Sequence, residues 1–247
     1  MTTEALAPRK EASLLPVEGL EGTNQSDVTI PRLQIVQPTS PACVDDGVQA
    51  GQFRNILTEE VAEQLTIVPF IIKPGRACFE EGERDLICKS DDGLVPSSQI
   101  ETPINEICAE IVGNRRKPVC PKAIWDDRTP PDCSEGYTLL AIDLNDGFPF
   151  LINLRGTSYK PTKKLNTVFA LKRKPLYTHS CFMSLKKTKN KMGTFYVVNF
   201  SKFEALDPPD QYREMFLSLK QYDVQKTYDA EIENGAGEQP SEEGMVF

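Results

Sequence analysis

The chain has 247 residues, 39% of them apolar and 26% charged, with a formal net charge of −8. That supports one domain of generous size with tails or an insertion, and no stretch approaches the ~20 uninterrupted apolar residues that cross a bilayer. The opening segment MTTEALAPRKEASLLPVEGLEG lacks the apolar run of a secretory signal, and seven cysteines at irregular spacing suit a reducing compartment, so the cytoplasm is expected.

Residues 1–28 are polar and poor in aromatics and read as a disordered arm. A folded domain is expected over 29–222. It opens with extended chain at VTIPRLQIV (28–36) and GQFRNIL (51–57). Leu65 to Ile72 reads as a buried strand, with Pro69 marking a sheet edge or a bulge. The stretch 78–133 holds five of the seven cysteines, the single Trp and many turn residues; it reads as a loop-rich insertion with a short helix near 104–112. Tyr137–Leu144 and Phe148–Leu154 form a strand pair around Asn145-Asp-Gly147. Pro161 to Lys172 has helical spacing. Cys181–Leu185 and Thr194–Phe200 are strands flanking a basic tip, and Asp207-Pro-Pro precedes a last helix with Tyr212, Met215, Phe216 and Leu219 on one face. Strands outnumber helices. The expected class is mainly β (α+β), an antiparallel β-barrel or sandwich with few helices and disordered termini.

Charge is strongly segregated. Residues 1–150 carry a net −12, residues 151–202 carry twelve Lys/Arg and no carboxylate, and residues 223–247 carry a net −6. Such segregation signals interaction surfaces. Single-strand binders need cations to track phosphates and aromatic faces to stack bases, at ~1–3 kcal/mol per base. The basic segment offers both. The candidate backbone contacts are Arg155, Lys160, Lys163, Lys164, Lys172, Arg173, Lys174, Lys186, Lys187, Lys189 and Lys191; the candidate stacking residues are Tyr159, Tyr177 and Tyr196. Alternating aromatics also fill cores, and exposed lysines also solvate a surface, so both readings stand for each residue.

The last residues, 223–247, form an acidic tail ending in Glu242, Glu243, Met245, Val246 and Phe247. A flexible anionic tether with an apolar tip can dock in a basic-rimmed pocket of a partner or compete with DNA for its own basic surface. This ending resembles that of bacterial and phage single-stranded DNA-binding proteins, whose acidic tails recruit replication proteins. Over about residues 30–200, the order IPRLQIVQPTSP, GQFRNIL, ICKSDDG, VCPKAIW, RGTS and a final Gly-aromatic strand resembles phage and prophage DNA-binding proteins of the oligonucleotide-binding (OB) fold type. The resemblance implies an OB-fold-like barrel, a phage origin, a bacterial host's cytoplasm, single-stranded DNA as ligand, and replication or recombination proteins as partners of the tail. Self-association stays open.

Cys88, Cys108, Cys120 and Cys133 are candidate ligands of a structural zinc, with Cys78 and Cys43 as alternates; the competing reading is free cysteines packed as small apolar groups. Catalysis is not expected. The one histidine is His179, and neither a phosphate-binding Gly-Lys-Ser/Thr loop nor a His-Glu-x-x-His helix occurs. The rival functions are a zinc-containing duplex-DNA or RNA-polymerase regulator, and a phage assembly protein.

Overall fold

The computed structural model describes residues 29–80, 86–126, 129–190 and 193–220. The expected arm at 1–28, the tail at 223–247 with Glu242, Glu243, Met245, Val246 and Phe247, and Lys191 lie outside the described residues. In chain order the elements are β1 (Arg32–Ile35), α1 (Pro41–Val44), β2 (Phe53–Asn55), β3 (Val61–Ala62), β4 (Gln64–Phe79), β5 (Leu86–Ser90), β6 (Ala109–Val112), β7 (Arg115–Pro118), β8 (Cys133–Asp143), β9 (Pro149–Arg155), α2 (Tyr159–Lys172), β10 (His179–Asn190), β11 (Gly193–Ala205) and α3 (Asp210–Leu219).

One sheet runs in the order β11-β10-β4-β8-β9-β1-β2-β3, with β5 also on β4; β6 and β7 pair with each other as a separate hairpin. The mainly β class expected from the sequence is the class observed. The spine is β4, sixteen residues long. Its start pairs with β10 and its end with β5, while β8 flanks nearly all of it. The register against β8 slips between Pro69 and Ile71. A proline has no N–H for the ladder, so the chain bulges there and bends. The sheet curls into a half-barrel.

Alternation along the strands then loads two cores. On the inner face Leu33, Phe53, Ile67, Leu139, Ile152, Leu154, Met183 and Val198 pack together, covered by Leu165 and Phe169 of α2. On the outer face Ile30, Val68, Phe70, Leu140, Ile142 and Leu151 pack under α3, which contributes Leu219, Met215, Phe216 and Tyr212, the face its spacing predicts. Cutting back a fully buried leucine such as Leu139 or Leu154 to Ala costs ~2–5 kcal/mol at sites of this kind.

The insertion departs from expectation at one place. The helix expected near 104–112 is absent; Ala109–Val112 is a strand paired with Arg115–Pro118. Gly113, at φ +61°, makes the turn after Val112. The spacing of Ile104, Ile107 and Ile111 mimics a helical stripe, but all three are exposed, so no core rewards a helix.

Candidate nucleic-acid interface

A small cleft of about 30 Å³ lies where β1, β4, β5, β8 and β9 meet. Its lining includes five cations, Arg32, Lys73, Arg76, Lys89 and Arg155, and one carboxylate, Asp91. Arg32, Arg76 and Lys89 are each 5% exposed or less. Cations so deeply buried require anionic or hydrogen-bonding partners. Arg76 finds part of its own: Nη2 stands 3.5 Å from Glu135 Oε1, while its Nε has no hydrogen-bond partner.

Two glycines make room for this cleft. Gly75 and Gly136 face each other across β4 and β8, and Gly136 also pairs with Arg155 of β9. A Cβ on Gly136 would run into Cγ of Arg155, and one on Gly75 would stand 3.0 Å from the Ser90 carbonyl oxygen. The bare backbone leaves a trough for the Arg155 stem, whose guanidinium carbon reaches 5.7 Å from the centre of the Phe79 ring. By strand alternation Arg32, Lys73, Thr138 and Arg155 share the face of Leu140 and Leu151, the α3 side of the sheet.

Of the described cations expected from the sequence, only Arg155 lines this cleft. The others occupy two further surfaces. Lys160, Lys163 and Lys164 sit early in α2 and are exposed, and Lys172, Arg173 and Lys174 crowd its exposed exit. With Leu165 and Phe169 turned into the inner core, α2 lies on the opposite face from α3. Lys186, Lys187 and Lys189 project from a two-stranded ribbon: β4 pairs with β10 only from Cys181 to Ser184, while β10 and β11 continue paired from Leu185 to Asn190 and from Gly193 to Val198. The Asn190 side chain accepts the Gly193 N–H at the tip, 3.1 Å away.

Each candidate tyrosine already has an intramolecular ring contact. Tyr159 stacks on Tyr137, centroids 5.0 Å apart and planes 14° from parallel. Burial above all, then hydrogen bonds to Tyr137 and Glu135, push its hydroxyl pKa well up. Tyr177 packs 5.4 Å from Phe216 in the α3-side core. Tyr196 lies on Gly51, where a Cβ would meet its ring carbons. All three stay half-buried rather than fully presented. His179 is buried, its Nδ1 2.9 Å from Thr178 Oγ1 and its ring edge-on to Phe169.

The sequence reading missed Arg32, Lys73, Arg76 and Lys89 because they come from the acidic half of the chain. The available signal was local: Lys73 and Arg76 interrupt a strand without other polar side chains from Ile67 to Ala77.

Three of the candidate zinc ligands share a buried cluster with Cys78, and the fourth, Cys108, lies near it. Cys78 pairs with Cys88 across β4 and β5 and with Cys133 across β4 and β8. Cys78, Cys88, Cys120 and Cys133 form one buried cluster with Ala123, edged by Ile100. Cys108 is buried within electrostatic reach of Cys88, Cys120 and Cys133. Burial pushes the thiol of Cys78 up to about 11 and that of Cys133 up to about 12. Cys43 stands in α1 and Cys181 in the inner core of the sheet.

These features define a curled, mainly β protein with cationic surfaces on both faces of its sheet. The chain belongs to the Pam3 phage gp34-like protein family, whose model matches residues 3–226, and so is a phage-type protein. No curated protein matches it, and no solved structure does. Among the described residues no helix is long and apolar enough to cross a membrane.

Proposed function

We propose that this protein binds single-stranded DNA without regard to sequence, protects it during phage replication or recombination, and does no chemistry on it. The observation that carries this reading is the set of exposed cations in a stretch without a carboxylate: Lys160, Lys163 and Lys164 on α2, Lys172, Arg173 and Lys174 at its exit, and Lys186, Lys187 and Lys189 on the β10–β11 ribbon. A phosphodiester supplies the anion such a group favours. The early turns of α2 add support. Lys160, Lys163 and Lys164 stand near a helix N-terminus with no acidic residue in the first turn, where the helix dipole disfavours cations and a phosphate relieves them.

The single-strand preference rests on shape. Arg155 and Lys73 lie on the α3 side of the curled sheet and the α2 lysines lie on the other. A flexible single strand can pass round the edge and engage both surfaces. A duplex, stiff over ~150 base pairs, cannot. Curled sheets of the OB type hold oligonucleotides in this manner, and we take the half-barrel to serve the same purpose. The acidic tail, ending in Met245, Val246 and Phe247, then recruits replication or recombination proteins.

Fluorescence anisotropy with labelled oligo-dT and a duplex of equal length, each at low and high salt, tests the reading. Tight, salt-sensitive binding to oligo-dT with weak duplex binding is the expected result. Preference for the duplex, or no salt-sensitive binding to either, overturns it. Deleting residues 229–247 should leave or raise the DNA affinity while abolishing capture of phage or host replication proteins; a truncated chain that loses DNA binding refutes the role given to the tail.

A further inference from the structure

We propose that Cys88, Cys108, Cys120 and Cys133 bind one Zn²⁺ as thiolates and so fasten the 88–133 segment to the sheet. This inference is independent of the DNA-binding reading. The backbone delivers the four residues from separate elements. Cys88 lies on β5 and Cys133 at the start of β8, flanking Cys78 in a row across three strands. Cys108 and Cys120 are the two feet of the β6–β7 hairpin, pinned together where the N–H groups of Val119 and Cys120 donate to the Cys108 carbonyl at 3.1 and 3.3 Å.

The segment needs such a fastener. Among the described residues the hairpin pairs with no other strand, and Ile107, Ile111, Val112, Ile124 and Trp125 are 41–57% exposed. The cluster beneath consists of four cysteines and one alanine, with Ile100 at its edge. Area that small contributes little hydrophobic stabilisation, and small loop-rich segments lacking a core are commonly closed by a metal. Four thiolates from a closed, buried set suit tetrahedral Zn²⁺.

Cys78 is the floor of the site. It is fully buried in the middle strand, and its Sγ lies 4.0 Å from the Phe79 carbonyl oxygen. As placed, no three or more of the described side chains form a ready coordinating group, so the four sulfurs must turn onto a shared centre on binding. On binding, Zn²⁺ displaces one proton from each of the four thiols, which leave to solvent, and the resulting Zn(Cys)₄ unit carries a net −2 charge. Arg76 and Lys122 are in electrostatic reach of the thiols to balance it.

The test uses the full chain produced in zinc-containing medium. Elemental analysis should find ~1 zinc per chain, and Co²⁺ added to the chelator-stripped protein should give the intense sulfur-to-metal absorption of a tetrahedral tetrathiolate site. Chelation should lower the melting temperature. Cys108→Ser and Cys133→Ser should lose the metal, and Cys78→Ser should keep it with an unchanged Co²⁺ spectrum. If a serine variant fails to fold, the Co²⁺ spectrum of the unaltered chain still decides. Absence of zinc together with no thiolate absorption on Co²⁺ addition overturns the proposal, and so does loss of the metal only in Cys78→Ser.

Discussion

Gln37 and Tyr196 are joined through a single carboxamide: Nε2 of Gln37 donates to the Tyr196 carbonyl at 2.9 Å, and its Oε1 accepts the Tyr196 N–H at 2.8 Å. A side chain here makes the pair of bonds a neighbouring strand would make. It links the loop after β1 to β11, near opposite ends of the sheet order, and so closes the half-barrel. Gln37 is buried, and its own N–H is held by Ser40 Oγ at 2.8 Å. Gln37→Ala strands one donor and one acceptor and should destabilise by ~1–3 kcal/mol, read as a lower urea midpoint at unchanged slope. Gln37→Glu should also destabilise, because a carboxylate accepts from Tyr196 but cannot donate to it. An unchanged midpoint in both variants would mean that the inner core alone holds β11 in place.

The trough beneath Arg155 yields a coupled prediction. Gly136→Ala places a methyl against the Arg155 stem, with the Leu154 carbonyl oxygen 3.2 Å away. It should cost ~1–3 kcal/mol and weaken oligo-dT binding together. Arg155→Ala removes the obstructing atoms, so the double variant should be less destabilised than the two single effects combined. Strict additivity in the urea midpoints would show that Arg155 does not rest on Gly136.

Much of the fold was legible because it follows short-range rules. Pro69 announced a bulge, Asn145-Asp-Gly147 announced a hairpin, and Tyr212, Met215, Phe216 and Leu219 announced the buried face of α3. The cleft was not legible. Arg32, Lys73, Arg76 and Lys89 are scattered over 58 residues of an acidic region, and only strand pairing brings them to Arg155. Gln37–Tyr196 was invisible for the same reason, its partners being 159 residues apart. The helix expected near 104–112 does not form because nothing lies beneath Ile104, Ile107 and Ile111 to pack against.

His179 provides a pH-dependent stability. Burial, then the charges of Lys172 and Lys174, hold its imidazole below the usual histidine range. The unfolded chain, with an ordinary value of ~6.5, then binds the proton more tightly than the folded one. Its contribution to stability is complete above pH ~6.5 and is lost as pH falls from there toward the folded value. Urea midpoints taken from pH ~8 down to ~5 should decline, and the decline should be smaller in His179→Leu at matched pH. Equal declines in the two proteins would assign the acid sensitivity to carboxylates instead.

The ribbon formed by β10 and β11 beyond Ser184 sets the electrostatic prediction. Lys186, Lys187 and Lys189 are exposed and stand opposite Val197, Tyr196 and Thr194, so truncating them removes charge without opening a core. Replacing Lys186, Lys187, Lys189 and Lys191 by Ala should weaken oligo-dT binding and flatten the dependence of log K on log salt by up to ~3 units, at ~0.7 for each single-strand phosphate that is no longer neutralised. Urea stability should change little, which separates weaker DNA attraction from a damaged fold. A slope identical to that of the unaltered chain removes the ribbon from the binding surface. In that case Arg155 and the α2 lysines remain as the candidate contacts, to be tested by the same salt series.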